Sequence, residues 1–342
     1  MSYTPDIPSE PHAVCYHAAG KPSEVLRYEP LPAADPQAGE VTVLLEMAVV
    51  HPSDLGMIAG TYGRLRPLPA VAGREGVGRV VRVAPDVSHL QIGDRVRMPE
   101  DAGVWREVVT TDAATLHPVP NDIPADQACM AFINPPTALL LLNEFAKLNP
   151  GDWVIQNAAN SAVGESVIQL AHFAGLRTAN LVRSPQKTAA RLKELGADLV
   201  VADDKDALGA LNAALSGKKP LLALNSIGGP SAITLIRSLA DNGVLVTFGG
   251  MTADPIRFPT REFIFKNITC RGFWMDRWAR TSAKSSVSEV FGKIYEHIRN
   301  ATLRLAVDSI WPIADYASAL ERAAAYGRDG KVLIKGPAAA AS

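Results

Sequence analysis

Residues 153–164 read WVIQNAANSAVG, an apolar strand that runs into small residues and then into the start of an amphipathic helix. Small side chains at such a turn let a phosphate group approach the backbone N–H groups of the helix N-terminus, where the helix dipole favours anions. Only Gly164 remains of the G-x-G-x-x-G pattern that is typical of dinucleotide-binding turns. Taken alone, the stretch also fits a tight turn without a ligand.

The neighbouring sequence repeats this alternation of short apolar runs and helical patterns. The alternation predicts βαβ units, and right-handed crossovers between them build a doubly wound parallel sheet with its ligand crevice at the carboxyl ends of the strands. We therefore predict an α/β fold with a Rossmann-type domain over residues 132–277, and this context favours the phosphate loop at 153–164. The predicted strands are 153–157, 178–182, 199–202, 221–225, 244–248 and 268–274.

The N-terminal part of the chain is rich in proline, because 17 of the 25 prolines lie before residue 137. Proline is excluded from central strands and helix interiors, so this part does not continue the βαβ pattern. Short β-branched runs between turn signals predict antiparallel strands here. The elements after residue 278 are too small to fold alone, so we expect residues 278–342 to join residues 1–131 in a β-rich domain. The predicted elements are strands at 41–45, 77–83, 104–110 and 332–334, and helices up to 299 and at 314–325.

Composition and charge exclude several classes of function. The 342 residues carry 34 Lys and Arg against 35 Asp and Glu, so the chain lacks the basic excess of a dedicated nucleic-acid binder. Cys15, Cys129 and Cys270 are too few and too far apart for a disulfide framework or a zinc lobe. No apolar stretch approaches the roughly 20 residues of a membrane span, and residues 1–10 show no targeting pattern. We expect a cytoplasmic protein without a nucleic-acid or membrane partner.

The second predicted strand is followed by Arg183, about 20 residues beyond Gly164, where sites that prefer NAD carry an acidic residue. A guanidinium at this position can bind a ribose 2′-phosphate through charge-assisted hydrogen bonds, which are worth about 1.5–3 kcal/mol. Lys187 and Arg191 are expected to add to the positive field. This position predicts NADPH as the cofactor; the alternative is an arginine that only meets solvent.

Eight segments together resemble a known family; they are residues 52–54, 57–58, 60–63, 68–71, 134–138, 156–161, 248–251 and 271–274. The set is similar to the medium-chain dehydrogenase/reductase superfamily and, within it, to the zinc-independent 2-enoyl thioester reductases of the mitochondrial type. The resemblance implies a GroES-like β-rich catalytic domain together with the Rossmann-type domain. It also implies NADPH-dependent reduction of the 2,3 double bond of an enoyl thioester, carried by CoA or by acyl carrier protein.

The resemblance assigns roles to particular residues. Tyr62 is implied as the proton donor, and this is sensible because hydride attack on the β-carbon builds negative charge that a phenol can stabilise or protonate. The implied substrate pocket contains Trp274, Trp278 and Arg64. Core packing of the aromatic side chains and an exposed loop tyrosine are the alternatives. The implied cofactor-binding residues are Asn134, Asn160, Ser161, Ala162, Val163, Gly164, Arg183, Ser184, Phe248, Gly249, Gly250, Met251, Phe273, Trp274, Met275 and Lys331.

Residues 73–76 read GREG and lack the histidine with which zinc enzymes of this superfamily bind their metal. His51 lies near the position of another zinc ligand, but a lone imidazole without a paired Cys or His is more often a hydrogen-bonding side chain. We therefore predict no metal site. His51 and Arg74 stand where the resembled reductases carry asparagine, and Ala162 replaces a glycine of the cofactor loop.

Two other functions fit the same scaffold. A quinone or 2-alkenal reductase needs the same hydride donor but no pocket for a pantetheine arm. A protein that binds NADPH without efficient catalysis, as lens crystallins do, is the alternative from another class. Turnover of crotonyl-CoA, a quinone and a 2-alkenal separates the first two functions, and a Tyr62→Phe variant with unchanged activity supports the third.

Two surfaces are candidates for partner contacts. Arg64, Arg66, Arg74 and Arg79 are expected to form a basic rim for CoA phosphates or for an acidic carrier protein. The last strand of the parallel sheet, 268–274, is an apolar edge, and an unpaired edge invites association with its symmetry mate. We therefore predict a homodimer.

Overall fold

The β-branched runs of the N-terminal part form strands in the structure, a computed structural model that describes residues 7–252 and 254–341. The runs at 41–45 and 77–83 lie inside long strands. The first part of the chain contains β1 (His12–Tyr16), α1 (Pro22–Val25), β2 (Leu26–Pro30), β3 (Glu40–Val49), α2 (Pro52–Ile58), β4 (Ala70–Val71), β5 (Gly76–Val83), β6 (Arg95–Arg97), β7 (Val108–Asp112), β8 (Pro118–Val119) and α3 (Ala125–Ala128).

The third predicted strand, 104–110, begins four residues late, because Trp105 belongs to a buried loop. Its backbone N–H donates to the Ala72 carbonyl at 2.9 Å, and its carbonyl accepts from Val14 N–H at 2.9 Å. Its indole Nε1 donates to the Val49 carbonyl at 3.2 Å. Trp105 is fully buried in the core of this unit, so its ring and its backbone together fix the loop.

The apolar runs after residue 132 form a six-stranded parallel sheet. Its strands are, in spatial order, Leu199–Ala202 (β11), Arg177–Val182 (β10), Trp153–Gln156 (β9), Leu222–Asn225 (β12), Val244–Thr247 (β13) and Thr269–Gly272 (β14). This is the Rossmann strand order, and all six predicted strands are present, so the predicted α/β fold is confirmed. The elements are α4 (Asn134–Asn143), β9 (Trp153–Gln156), α5 (Ala162–Phe173), β10 (Arg177–Val182), α6 (Pro185–Glu194), β11 (Leu199–Ala202), α7 (Ala207–Leu215), β12 (Leu222–Asn225), α8 (Gly229–Ser238), β13 (Val244–Thr247), α9 (Thr260–Lys266), β14 (Thr269–Gly272), α10 (Met275–Thr281) and α11 (Lys284–Arg299).

The C-terminal segment completes the sheet of the first unit. It contains β15 (Val307–Pro312), α12 (Tyr316–Ala324) and β16 (Lys331–Lys335). One sheet has the order β15-β16-β3-β5-β6-β8 with β7 paired to β3, and a smaller one has the order β2-β1-β4. Strand β16 pairs antiparallel with β3. It contains the predicted strand at 332–334, and this pairing joins it to the first part of the chain. Strand β15 was not predicted.

The Rossmann-type unit ends later in the chain than predicted, at Arg304 and not at residue 277. One unit comprises Met1–Phe132 with Leu305–Ser342, and the other comprises Ile133–Arg304. The prediction that residues 278–342 join the N-terminal part is therefore wrong for residues 278–304. The reason is that α11 buries an apolar face on α4 of the Rossmann-type unit.

Two glutamines mark this boundary with reciprocal hydrogen bonds. In the Rossmann-type unit, Gln169 bonds both the N–H and the carbonyl of Arg304, at 2.8 and 3.1 Å. In the first unit, Gln127 does the same to Leu305, at 2.9 and 3.0 Å. Two consecutive residues are thus bound to different units.

Among the described residues, none of the helices combines the length and the hydropathy that a bilayer crossing requires.

Candidate functional site

The turn between β9 and α5 carries the five predicted cofactor residues from Asn160 to Gly164. Ser161 is the N-cap of α5, and its hydroxyl accepts a hydrogen bond from Gly164 N–H at 3.2 Å. The preceding N–H groups of the first turn have no carbonyl partner within the helix, as at every helix start. A Cβ atom on Gly164 would lie 2.5 Å from the Ala159 carbonyl oxygen. Only glycine therefore permits this tight turn, which leaves N–H donors available to an anion.

A buried amide network, which was not predicted from the sequence, supports this turn. Asn157 donates to Asn225 Oδ1 at 2.8 Å and to Ser231 Oγ at 2.9 Å, and its own Oδ1 accepts from Ser226 N–H at 2.8 Å. The network joins the carboxyl ends of β9 and β12. The available signal was a polar residue directly after each apolar strand.

Ser226 connects the network to the predicted cofactor segment Phe248–Met251. Its carbonyl accepts from Met251 N–H at 2.9 Å, and a Cβ on Gly249 would lie 3.2 Å from its side chain. Within the described residues, the buried Ser226 hydroxyl has no hydrogen-bond partner. An orphaned hydroxyl at this edge fits a polar ligand.

The residues predicted to bind the 2′-phosphate follow β10. Arg183 and Ser184 are the first two residues after the strand, and Ser184 is exposed, as is Lys187 in the first turn of α6. Arg191 is different, because its Nη1 lies 2.6 Å from the buried carboxylate of Glu165 on α5. The expectation that Arg191 adds to the positive field is therefore wrong: its charge is neutralised within the fold.

The predicted residues that follow β13 and β14 lie at the same edge of the sheet, where the carboxyl ends of parallel strands meet. Asn134 begins α4 and is buried, and residues 248–251 follow β13. Phe273 follows β14 and packs edge-to-face on Phe145, with ring centroids 5.7 Å apart, so core packing explains its ring. Trp274 and Trp278 are half-buried and Met275 is buried.

In the other unit, α2 and the loop after it position Tyr62. The helix begins at N-cap His51, whose N–H donates to Asp54 Oδ2 at 2.7 Å, and Pro52 occupies its first turn. Burial raises the pKa of Asp54, although His51 and nearby arginines oppose the shift. Gly60, at φ +76°, reverses the chain after the helix. Tyr62 follows two residues later and is half-buried.

The Tyr62 hydroxyl is held by Arg74, one of the three residues named above at which this sequence differs from the resembled reductases. Arg74 Nη1 donates to the Tyr62 oxygen at 2.8 Å, and its Cζ lies 4.7 Å from the centre of the tyrosine ring. Its Nε and Nη2 both bind Glu100 Oε1, at 2.9 and 2.6 Å. Burial lowers the pKa of Arg74, but Glu100 and Tyr62 outweigh it and the net shift is upward. A fixed cation therefore contacts the predicted proton donor.

The other arginines of the predicted basic rim are used inside the unit. Arg66 is buried and donates to three backbone carbonyls, those of Val71, Gly73 and Glu100. Arg79 bonds the buried Glu46 and the Gly93 carbonyl. The rim prediction is thus wrong for Arg66, Arg74 and Arg79, because long-range carboxylates and carbonyls hold them. Arg64 is partly exposed and pairs with Asp101 at 2.9 Å.

Lys331, a predicted cofactor residue, ends a buried polar chain in the same unit. Its Nζ lies 3.1 Å from His51 Nδ1, and His51 Nε2 lies 2.6 Å from Glu75 Oε2. A lysine ammonium only donates, so His51 accepts at Nδ1 and donates from Nε2 to Glu75. Burial lowers the pKa of Lys331 to about 8, and Glu75 opposes this shift. His51 is thus a hydrogen-bonding side chain.

The part of the chain that the structure describes contains no group of three or more His, Cys, Asp and Glu side chains arranged to hold a metal ion. All three cysteines are free thiols. The chemistry at hand is therefore that of anion-binding backbone N–H groups in one unit and of a phenol held by a guanidinium in the other.

Comparison with known families defines the class of the protein. Residues 37–121 match the alcohol dehydrogenase GroES-like domain, and residues 162–290 match the zinc-binding dehydrogenase domain. This pair of domains defines a medium-chain dehydrogenase/reductase, as the sequence predicts. The mitochondrial enoyl-[acyl-carrier-protein] reductase of Dictyostelium discoideum is 40% identical over 323 residues, 92% of each chain. The human protein of that name is 40% identical over 320 residues, 92% of this chain and 86% of the human one. The chain belongs to this family of reductases.

Solved structures agree with this assignment. The mitochondrial 2-enoyl thioester reductase Etr1p/Etr2p heterodimer from Candida tropicalis is 27% identical with a TM-score of 0.87, covering 95% of this chain and 99% of that one. The complex of Etr1p with NADP and crotonyl-CoA has a TM-score of 0.86 at 26% identity, with the same coverage. A putative NADPH:quinone reductase from Bacillus thuringiensis is 28% identical with a TM-score of 0.88, covering 96% and 100%. The predicted family is confirmed.

Proposed function

We propose that this chain reduces the 2,3 double bond of 2-enoyl thioesters with NADPH, acting on acyl-CoA or on acyl carrier protein. The observation that carries the proposal is the 40% identity along 92% of the chain to reductases named for this substrate. The NADP and crotonyl-CoA of the Etr1p complex support the cofactor and the thioester. The Tyr62–Arg74 pair supplies the acid that such a reaction needs.

When bound, NADPH would supply a hydride for the β-carbon of the thioester. The residues that hold it are, in this proposal, the turn and helix start after β9, the basic residues after β10 and the segments after β13 and β14. The narrow turn at Gly164 and the orphaned Ser226 hydroxyl fit a phosphate and a polar group at this edge. Arg183 directly follows β10 and is proposed to bind the 2′-phosphate through charge-assisted bonds. Lys331 is proposed as a further cofactor residue.

Tyr62 provides the proton in this proposal. Charge that builds on the thioester during hydride addition is stabilised by a hydroxyl donor, and the α-carbon then takes the proton. A positioned acid of this kind contributes roughly 10²- to 10⁴-fold to the rate. Trp274 and Trp278, both half-buried, and Arg64, partly exposed, are proposed for the substrate pocket.

Steady-state kinetics test the proposal directly. We expect NADPH oxidation with crotonyl-CoA at a kcat/KM well above that with a quinone or a 2-alkenal, and a roughly 10²- to 10⁴-fold lower kcat for Tyr62→Phe. Negligible turnover of crotonyl-CoA by folded protein that binds NADPH would refute it. Unchanged activity of Tyr62→Phe would instead remove only the assigned proton donor.

Quinone reduction is the second candidate, because the putative quinone reductase from Bacillus thuringiensis has a TM-score of 0.88. The two functions share a hydride donor and differ in the thioester arm. A kcat/KM for a quinone that exceeds the value for crotonyl-CoA at equal NADPH would favour the quinone reductase.

We also propose a homodimer and a cytoplasmic location. All four residues of the edge strand β14 are exposed, and exposed edges pair readily. The three free thiols suit a reducing compartment. Light scattering at micromolar concentration should give twice the chain mass of 36.4 kDa; the mass of a single chain would contradict the dimer. Fractionation of cells with an antibody tests the location.

A further inference from the structure

The hydrogen bond between Tyr62 and Arg74 has a fixed direction. A guanidinium has five donors and no acceptor, so the 2.8 Å contact makes the Tyr62 oxygen the acceptor. The hydroxyl proton of a phenol lies near the ring plane, on one side of the oxygen or the other. Because Arg74 donates to this oxygen from a position over the tyrosine ring, the Tyr62 proton points away from the guanidinium.

Arg74 is itself held rigidly. Its Nε and Nη2 converge on Glu100 Oε1, at 2.9 and 2.6 Å, and the other Glu100 oxygen accepts from Arg97 Nη2 at 3.0 Å. The Arg74 side chain is 4% exposed. The preceding Gly73 has φ +85°, and a Cβ there would lie 2.3 Å from the Trp105 ring. The backbone and the carboxylate thus leave Arg74 little freedom.

We propose that Arg74 is a positioning residue, which directs the Tyr62 proton and stabilises the negative charge left on the phenol oxygen after the proton leaves. This inference rests on the proposed function. When Tyr62 gives its proton to the α-carbon, the O–H bond breaks, a C–H bond forms and the oxygen becomes an anion beside the guanidinium. The hydrogen bond then joins a cation to an anion, and this strengthening is worth roughly 10- to 100-fold in rate.

Variants in two backgrounds test the proposal. We expect Arg74→Gln to lower kcat for crotonyl-CoA by roughly 10- to 100-fold, with the KM for NADPH changed by less than about twofold. Arg74→Lys, which keeps a cationic donor, should recover part of the loss. In a Tyr62→Phe background, Arg74→Gln should change the residual kcat by less than about twofold, because the group through which Arg74 acts is gone.

A matched control separates this role from general loss of a buried cation. Arg106 belongs to the same unit and donates to the carbonyls of Val108 and Ala102. Arg106→Gln should leave kcat unchanged. An equal loss of kcat from Arg74→Gln in both backgrounds would overturn the positioning role, and so would a normal kcat in the single variant.

A measurement without substrate keeps the inference testable if the proposed function fails. Absence of crotonyl-CoA turnover by the unmodified protein would refute the function alone. Crystal structures of the unmodified protein and of Arg74→Gln should then show the Tyr62 ring ordered in the first and displaced in the second. A Tyr62 ring that occupies the same place in both structures would refute the claim that Arg74 positions Tyr62.

Discussion

Replacement of the buried Lys331 by methionine should change how the stability of the protein depends on pH. Burial lowers the pKa of Lys331 from 10.5 to about 8 in the folded state. Below pH 8 the lysine is charged in both the folded and the unfolded chain, so the cost of the buried cation is present in full. Above pH 8 the folded protein loses the proton and the unfolded chain keeps it. The free energy of unfolding that is due to Lys331 therefore rises with pH.

The size of this effect follows from proton linkage. For folded and unfolded pKa values of about 8 and 10.5, the contribution of Lys331 to the free energy of unfolding rises by about 2 kcal/mol between pH 7 and pH 9.5. Other groups titrate in the same range: burial raises the pKa of Cys15 to about 11, which lowers stability as pH rises. Cys15 is present in both proteins, so the difference between them isolates Lys331.

Urea unfolding of the cofactor-free protein measures this difference. The free energy of unfolding of the unmodified protein minus that of Lys331→Met should increase by about 2 kcal/mol from pH 7 to pH 9.5. Lys335→Met is the control, because Lys335 is the exposed last residue of the same strand and should give a constant difference. A constant or falling difference for Lys331→Met would refute the reasoning.

Three further predictions follow from the geometry. Gly164→Ala should lower stability by about 1–3 kcal/mol and weaken NADPH binding in titration calorimetry, because the new methyl meets Ala159 at 2.5 Å; unaltered binding would contradict the tight turn. Arg183→Ala should reduce the preference for NADPH over NADH by roughly 10- to 150-fold in kcat/KM, and an unchanged ratio would exclude Arg183 from the phosphate site. Trp105→Ala should cost about 3–5 kcal/mol in urea unfolding, as for other buried aromatic residues; a loss under about 1 kcal/mol would contradict a well-packed core.

The Rossmann-type unit could be predicted because each of its strands is a local apolar run between helical patterns. Strand β15 could not, because it is only half-buried and pairs with β16, which follows it by about 20 residues. The last residue of the Rossmann-type unit, Arg304, is bound by Gln169, which lies 135 positions away. Such long-range pairs leave no periodic signal in the sequence.

In the candidate site, too, local features could be predicted from the sequence and long-range contacts could not. The turn at Gly164 and the loop of Tyr62 could be placed from residue types and family segments. The role of Arg74 could not, since its partner Glu100 lies 26 positions away and an arginine in sequence resembles a solvent-exposed charge. Lys331 and His51 are 280 positions apart. Only the folded chain brings these groups together.

The buried arginines of the first unit differ in which groups their N–H donors bind besides a carboxylate. Arg95 binds both oxygens of Glu46, at 2.7 and 3.0 Å, and two backbone carbonyls, so its donors are used within the fold. Arg74 also pairs with a carboxylate, but one of its nitrogens binds a phenol. Removal of one partner from a buried ion pair costs about 3–5 kcal/mol whatever its role. Stability measurements alone therefore cannot distinguish the two arginines. The effect of a substitution on kcat does distinguish them, if that effect depends on Tyr62. None of the hydrogen bonds of Arg95 described above reaches Tyr62, so its loss should not change the proton transfer selectively.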